Sequence, residues 1–319
     1  MKKYDVVALG ELLIDFINNG TSAQGNPLFE ANPGGAVCNV LAMLNKLGHK
    51  TAFIGKVGED IFGHQLKKVL DEINIDTTGL LMDKEVRTTL AFVANDESGE
   101  RSFSFYRNPG ADMMLRADEV DEELIKASRG FHFGTLSMTH ELVREATKRA
   151  LDIAKENGLL ISFDPNLRES LWDTLENAKT QVDYGLHYCD VLKISDNEIQ
   201  WFTGKDDFDS GILVLQERYH IPLILLSMGK EGSRAYYKGL RVEVPGFVQK
   251  NTIETTGAGD TFFGACLHYV LNKGLHNLSE TDLKEMLTFA NAAASIITTR
   301  KGALKVMPAK EEIKALLMA

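Results

Sequence analysis

The sequence predicts an α/β fold: helices on both faces of a mostly parallel central sheet, with a small β lid rising from it. Three observations carry that prediction. Short apolar runs alternate with helical apolar stripes along most of the chain. One pair of strand-like runs around a glycine-containing turn breaks the alternation. The 319 residues, 44% apolar and 25% charged, supply one large core and contain no Pro/Ser linker, low-complexity tract or clear internal repeat. The chain is therefore read as one domain over 1–319, with the lid inserted at about 12–33 and 86–110.

In chain order, Val6-Val7-Ala8-Leu9 is the first buried strand, and residues 12–17 are placed beside the lid hairpin. Gly34 and Gly35 lead into a helix with the stripe Val37, Val40, Leu41, Leu44 and Leu47, which Gly48 ends in the left-handed conformation. A strand at 52–54 and the stripe Phe62, Leu66, Val69, Leu70, Ile73 follow. Runs at 88–94 and 101–106 flank Asp96-Glu97-Ser98-Gly99-Glu100 and read as a hairpin. Its second strand turns Phe103 and Phe105 to one face, which either closes over a ligand or pairs with a second subunit. Phe131-His132-Phe133 is a strand, and Leu142, Val143, Ala146, Ala150 and Ile153 form a helix closed by Gly158. Strands at 159–163, 191–194 and 223–226 complete the alternation.

The net charge of −10 disfavours nucleic acid and anionic membrane as partners. No apolar run approaches the ~18 residues of a membrane span. Asp5, Glu11 and Asp15 break any secretory signal core near the start. Cys38, Cys189 and Cys266 form no CxxC and read as buried thiols, so the expected setting is reducing and cytoplasmic. The chain has no GxxxxGK[ST], no GxGxxG at its glycine-rich helix start, no HExxH and no GxSxG.

Ligands of an open parallel sheet bind beyond the carboxyl ends of its strands. Glu11 and Asp15, Asp164-Pro165-Asn166, Ser195 and Glu198, and Gly229 all fall there. The sharpest motif is Thr255-Thr256-Gly257-Ala258-Gly259-Asp260-Thr261, followed by the helical residues Phe262, Phe263, Cys266, Leu267 and Val270. Small residues at a helix start expose backbone N–H groups to an anion. Asp260, in the first turn beside them, is placed to take a proton from an attacking hydroxyl. An N-capping Asp after a glycine turn would look the same in isolation. Asn32-Pro33-Gly34-Gly35-Ala36-Val37-Cys38-Asn39 opens another helix in the same style, with an amide at Asn39 that suits a polyol.

These two motifs, in this order and with a hairpin between them, resemble those of the pfkB, or ribokinase-like, carbohydrate kinases. The likeness covers nearly the whole chain and includes Gly48, Gly55, Gly58, Asp60 and Gly63 after the first motif. Within that family, Phe105-Tyr106-Arg107-Asn108-Pro109-Gly110, Phe163-Asp164-Pro165-Asn166-Leu167-Arg168 and Lys193-Ile194-Ser195-Asp196-Asn197-Glu198 are most similar to fructokinase runs.

The resemblance implies a ribokinase-like three-layer sandwich and phosphorylation of a sugar by ATP. It implies Asp260 as general base and Gly257, Ala258 and Gly259 as an anion hole. Asp15, Gly34, Gly35, Asn39, Phe105, Arg107 and Arg168 would hold the sugar. Asn166 and Arg168 would lie near the phosphates, and Lys193, Ser195, Ser227, Gly229, Gly232 and Asn291 would also bind the nucleotide. Glu198 would help hold Mg²⁺ through water. A homodimer formed through the lid is implied as well. Two positions depart from the family pattern: Ser195 stands where many members have Asn, and Glu254 where most have Asp beside a monovalent-cation (K⁺) site. The longer carboxylate argues against K⁺ activation. Competing readings are a 2-keto-3-deoxygluconate kinase, for which Arg107 and Arg168 would supply positive charge, and a non-catalytic sugar sensor, against which the intact Asp260 and glycine cradle argue.

Overall fold

The computed structural model describes residues 2–95 and 101–318. Thirteen strands and ten α-helices are present among them. In chain order they are β1 (Tyr4–Leu9), β2 (Leu13–Thr21), β3 (Pro27–Gly34), α1 (Ala36–Lys46), β4 (Thr51–Gly58), α2 (Ile61–Glu72), β5 (Ile75–Asp83), β6 (Leu90–Asn95) and β7 (Arg101–Tyr106). Then come α3 (Glu122–Lys126), β8 (Ser128–Gly134), α4 (Glu141–Glu156), β9 (Leu160–Asp164), α5 (Leu175–Leu186), β10 (Val191–Ser195), α6 (Asp196–Thr203) and α7 (Phe208–Tyr219). The last third holds β11 (Leu223–Ser227), β12 (Ser233–Tyr237), β13 (Leu240–Val244), α8 (Ala258–Lys273), α9 (Glu280–Ile297) and α10 (Lys310–Met318).

The main sheet has nine strands in the order β13-β12-β11-β10-β9-β8-β1-β4-β5. All its neighbours pair in parallel except β11–β12 and β12–β13. The antiparallel edge and the β5 edge are the strands that the short apolar runs did not reveal. Side chains of the central strands alternate between two cores, as a period of two requires. Val6 and Ala8 of β1 pack into the core that holds α1, α8 and α9, whereas Val7 and Leu9 pack into the core that holds α4 and α5. Leu223 and Leu225 of β11 share the first core, and Ile224 and Leu226 the second. By the same parity Lys193 of β10 falls on the side of Val191, facing α8.

The lid is a separate four-stranded sheet in the order β3-β2-β6-β7. β2 pairs antiparallel with β3 and parallel with β6, and β6 pairs antiparallel with β7. The turn expected at 96–100 and the Phe103 side chain lie outside the described residues. The exposed aromatic patch sits on the face opposite Phe105. Phe16 stacks on Phe92 with ring centroids 4.8 Å apart, Phe29 and Tyr106 meet Phe92 edge-on, and Phe62 of α2 closes one end. Strand alternation explains the two faces: Phe105 shares the register of Asp15 and Ala91, so it faces the sheet's ligand side, while Phe16 and Phe92 point away.

Helix starts divide into two kinds. Asp60 caps α2 by accepting from Phe62 and Gly63, and Ser195 with Glu198 forms a capping box on α6. α1 and α8 begin instead at Gly35 and Gly257, both at positive φ and neither offering a side-chain cap.

Candidate active site

Beyond the carboxyl ends of the strands lie three joined cavities. The first, about 370 Å³, is walled by Glu11, Asp15, Gly35, Asn39, Phe105, Arg168, Lys193, Gly257, Gly259 and Asp260. The second, about 320 Å³, is walled by Ser227, Gly229, Gly232, Phe247, Ala258, Gly259, Asn291 and their neighbours. The two share Thr255 and Gly259, so the start of α8 is the partition between them. The third, about 380 Å³, adjoins the first at Asn166, Arg168 and Lys193 and also touches Ser195, Glu198 and Trp201.

Asp260 is buried at the first turn of α8, and its Oδ2 accepts a hydrogen bond from Asn39 Nδ2 at 2.7 Å. Burial pushes its carboxyl above the ordinary range, against the pull of Asn39, Lys193 and Arg168. Asp15 hangs from the lid strand β2 over the same cavity. Burial pushes it up to about 7, Arg168 pulls it down, and Glu254 and Asp260 add repulsion. Gly34 does not wall the cavity; a Cβ there would collide with the Asp15 carboxylate, so its role is to let Asp15 in.

Lys193 Nζ bonds Asp164 Oδ1 at 3.1 Å, with both side chains buried. Burial opposes the ammonium, but Asp164, Glu198 and Asp260 together hold its proton more firmly than usual. The ammonium lies 3.3 Å from where a Cβ of Gly259 would stand, so it borders the glycine turn directly. Asp164 is pushed up to about 7 by burial, and its Oδ2 is buried with no partner among the described residues. Glu198 falls below its ordinary value although burial opposes this, because Lys193 and the N–H groups of Leu167 and Ser195 stabilise the anion.

A further expectation is corrected. Arg107 does not wall the first cavity. Its Nε donates to Asp112 at 2.7 Å, Nη1 to Thr139 and Nη2 to the Leu136 carbonyl, because a guanidinium at this depth must fill its N–H groups from the protein itself. Ser195 lies in the third cavity with Asn166 and Lys193, and its hydroxyl serves the α6 capping box. Asn291 does border the second cavity, but its amide is committed to Ser233 and to the carbonyls of Val244 and Pro245. Sequence reasoning assigned no role to Glu11 or Asp164 or to the apolar second-cavity wall at Phe247 and Val248. An acid directly after a buried parallel strand was the available signal for the first two.

The first cavity therefore has a carboxylate at a glycine-lined helix start, and the second approaches that same start from the other side. Comparison with known proteins gives the family to which this fold belongs. The pfkB family carbohydrate kinase model matches residues 3–310. Fructokinase-1 of Zea mays is 41% identical over 314 residues, covering 98% of this chain and 97% of that protein. The crystal structure of Xylella fastidiosa fructokinase with bound ATP superposes with a TM-score of 0.90 at 30% identity, covering 100% of this chain and 99% of that one. A double mutant of Vibrio cholerae fructokinase, with fructose, ADP and potassium ion bound, gives a TM-score of 0.88 at 30% identity, covering 99% of both chains.

Proposed function

This chain belongs to the pfkB family of carbohydrate kinases, and we propose that it is a fructokinase, converting D-fructose and ATP to fructose 6-phosphate and ADP. The observation that carries this reading is the shared wall: the cavity with Asp260 and the cavity with Ser227 and Gly229 meet at Thr255 and Gly259. The sugar occupies the first and the nucleotide the second, so the phosphoryl group passes at the start of α8. Relatives solved with ATP bound, or with fructose and ADP bound, support a sugar and a nucleotide as the two ligands.

Asp260 accepts the proton of the primary hydroxyl as the oxygen–phosphorus bond forms, and the bond from the γ-phosphorus to its bridging oxygen breaks to release ADP. A carboxyl raised by burial is a better match to neutral pH than an ordinary one, and a placed base is worth about 10²–10⁴-fold. The N–H groups of Gly257 and Gly259 meet the charge on the transferring group, with the Lys193 ammonium beside them, while the Ala258 N–H is donated to the Thr255 carbonyl at 3.2 Å. Asp15, Asn39, Phe105 and Arg168 wall in the sugar, and the lid excludes water as it closes.

The residues present fit Mg²⁺ held mainly by the nucleotide. No group of three or more His, Cys, Asp or Glu that could hold a metal occurs among the described residues. Glu198 offers carboxylate oxygens already bonded to Leu167 and Ser195, and Asp164 offers one buried oxygen without a partner among the described residues. Both suit a hydrated ion touched through water. When bound, Mg²⁺ supplies neutralisation of phosphate charge. Three free buried thiols fit a cytoplasmic setting. The aromatic lid face fits a homodimer, with Tyr106 66% exposed and Phe29 40% exposed; sedimentation velocity should give a dimer for the wild type and a monomer for Tyr106→Asp.

The deciding experiment is a coupled assay of ADP release with a panel of sugars. Fructose should be turned over, with Asp260→Asn nearly inactive. Turnover of 2-keto-3-deoxygluconate without fructose would replace the substrate, and sugar binding without any turnover would favour the sensor.

A further inference from the structure

We infer that Asn39 is the positioning residue of the Asp260 base: its amide holds one carboxylate oxygen so that the other receives the hydroxyl proton, and it keeps that carboxylate ionised. The inference rests on Asp260 being the base of the kinase reaction.

The two residues are 221 positions apart and meet only because α1 packs on α8. That packing is tight. A Cβ on Gly264 of α8 would stand 2.7 Å from Met43 Cβ and 3.0 Å from the Val40 carbonyl of α1, so Gly264 lets the helices approach closely and fixes their register. Within that frame Asn39 Nδ2 donates to Asp260 Oδ2 at 2.7 Å, with both residues buried. Asp260 has no second side-chain or backbone donor among the described residues. Its Oδ1 is thus the oxygen left for the substrate.

The other end of the Asn39 amide is also informative. Its Oδ1 is buried and has no partner among the described residues, on a side chain that walls the sugar cavity. A buried amide oxygen left unpaired is costly unless a ligand donor satisfies it. A sugar hydroxyl is such a donor. The amide therefore spans base and sugar, and sugar binding orders the same group that orients Asp260.

Several charges face Asp260. Lys193 on β10 and Arg168 after β9 favour its ionised form, while Asp15 on β2 and Asp164 at the end of β9 are the nearby anions. Burial outweighs the favourable neighbours, so the amide bond counteracts a carboxyl already biased toward protonation. Removing it raises the pH at which the base becomes active.

The test compares the full-length wild type with Asn39→Leu and with Asn39→Ala, which keeps α1 intact if the larger side chain does not fit. Saturating kcat is followed against pH. In parallel, the protonated-carboxyl infrared band that disappears in Asp260→Asn is titrated without turnover. The expected result is an acid limb and a band both moved up by about one pH unit, a tenfold change in the proton equilibrium. A kcat loss equal at all pH values, with limb and band unmoved, overturns the inference and leaves a packing role. A change confined to KM for fructose overturns it in favour of a sugar contact alone. If the wild type turns over no sugar, the kinase reading fails, and the infrared titration still decides whether Asn39 sets the protonation of Asp260.

Discussion

At the start of α1, Gly35 has φ 134° and a Cβ there would run into the Glu11 backbone; the Glu11 side chain then turns to accept the Ala36 N–H at 2.6 Å. At the start of α8, Gly257 has φ 73° and no side chain caps the helix; Asp260 in its first turn reaches across to Asn39 of α1. Both helix starts border the first cavity. They differ in who claims the positive end of the helix. The protein's own carboxyl takes it at α1, so what that side offers a ligand is hydroxyl recognition. At α8 the Ala258 N–H is donated to the Thr255 carbonyl and no carboxylate among the described residues takes the other first amides, which suits them to an anion from outside. A glycine-opened helix is therefore not in itself a phosphate site; the absence of an internal carboxylate on its first amides is what makes it one.

Asp260→Asn tests the α8 side most severely. The amide keeps the shape and loses the proton acceptor, so kcat should fall by about 10²–10⁴-fold, while calorimetry should show fructose and ATP affinities within a few-fold of wild type. Gly257→Ala comes next. An alanine at φ 73° is strained, and its Cβ would lie 2.7 Å from Ala303 Cβ, so the first amides of α8 must turn. Loss of one aligned donor is worth about 10²–10³-fold in kcat, measured at saturating substrates. If Gly35→Ala at α1 lowered kcat equally without raising KM for fructose, the contrast between the helices would collapse.

Much of this contrast was legible in the sequence. Gly34-Gly35 and Gly257-Ala258-Gly259-Asp260 stood out because small residues before an apolar stripe have few other uses, and the structure brings Asp260, Asn39, Asp15 and Arg168 to one cavity. The parallel sheet was legible because buried strands lack polar alternation. What stayed hidden was set by tertiary contact. Arg107 looked like a free lid cation because its partners Thr139 and Leu136 lie 32 and 29 residues away. The β12–β13 edge is short and mixed with charges, as edge strands are, so no apolar run marked it. The second aromatic cluster, Phe16, Phe92 and Tyr106 on the other lid face, went unseen because pattern alone does not tell which of two alternating faces meets the sheet.

Glu254→Asp probes the support beneath α8 and should have a smaller effect. Glu254 is buried, and its Oε1 accepts the Gly302 N–H at 2.7 Å, next to the Ala303 methyl that walls in Gly257. A side chain one carbon shorter loses that bond, worth about 1.5–3 kcal/mol when the acceptor is charged. Only part of the loss reaches the anion loop, so kcat should drop about tenfold, or 1.4 kcal/mol. The same assay run in K⁺ and in a large organic cation checks the cation reading: the wild type should be insensitive, and appearance of K⁺ stimulation in Glu254→Asp would tie the loss of that site to the longer carboxylate.

The smallest catalytic effect is expected at α1. Glu11→Gln keeps an acceptor for the Ala36 N–H and leaves the hydroxyl contacts in place, so kcat should change only a few-fold. Its effect on stability has a definite pH signature. Burial raises Glu11 from 4.5 to about 7, so the folded protein holds this proton more tightly than the unfolded chain. Stability contributed by the protonated form is present at about pH 4.5 and is lost as the pH climbs through the folded value near 7. Glutamine has no proton to lose and resembles the protonated acid throughout. The melting temperatures of wild type and variant should therefore coincide near pH 4.5–5 and diverge toward pH 8, with the variant the more stable by on the order of 3 kcal/mol at most. A constant difference across that range would mean that Glu11 titrates alike in both states. The carboxyl would then not be buried against α1 in solution, and the two helix starts would be equally open to an anion.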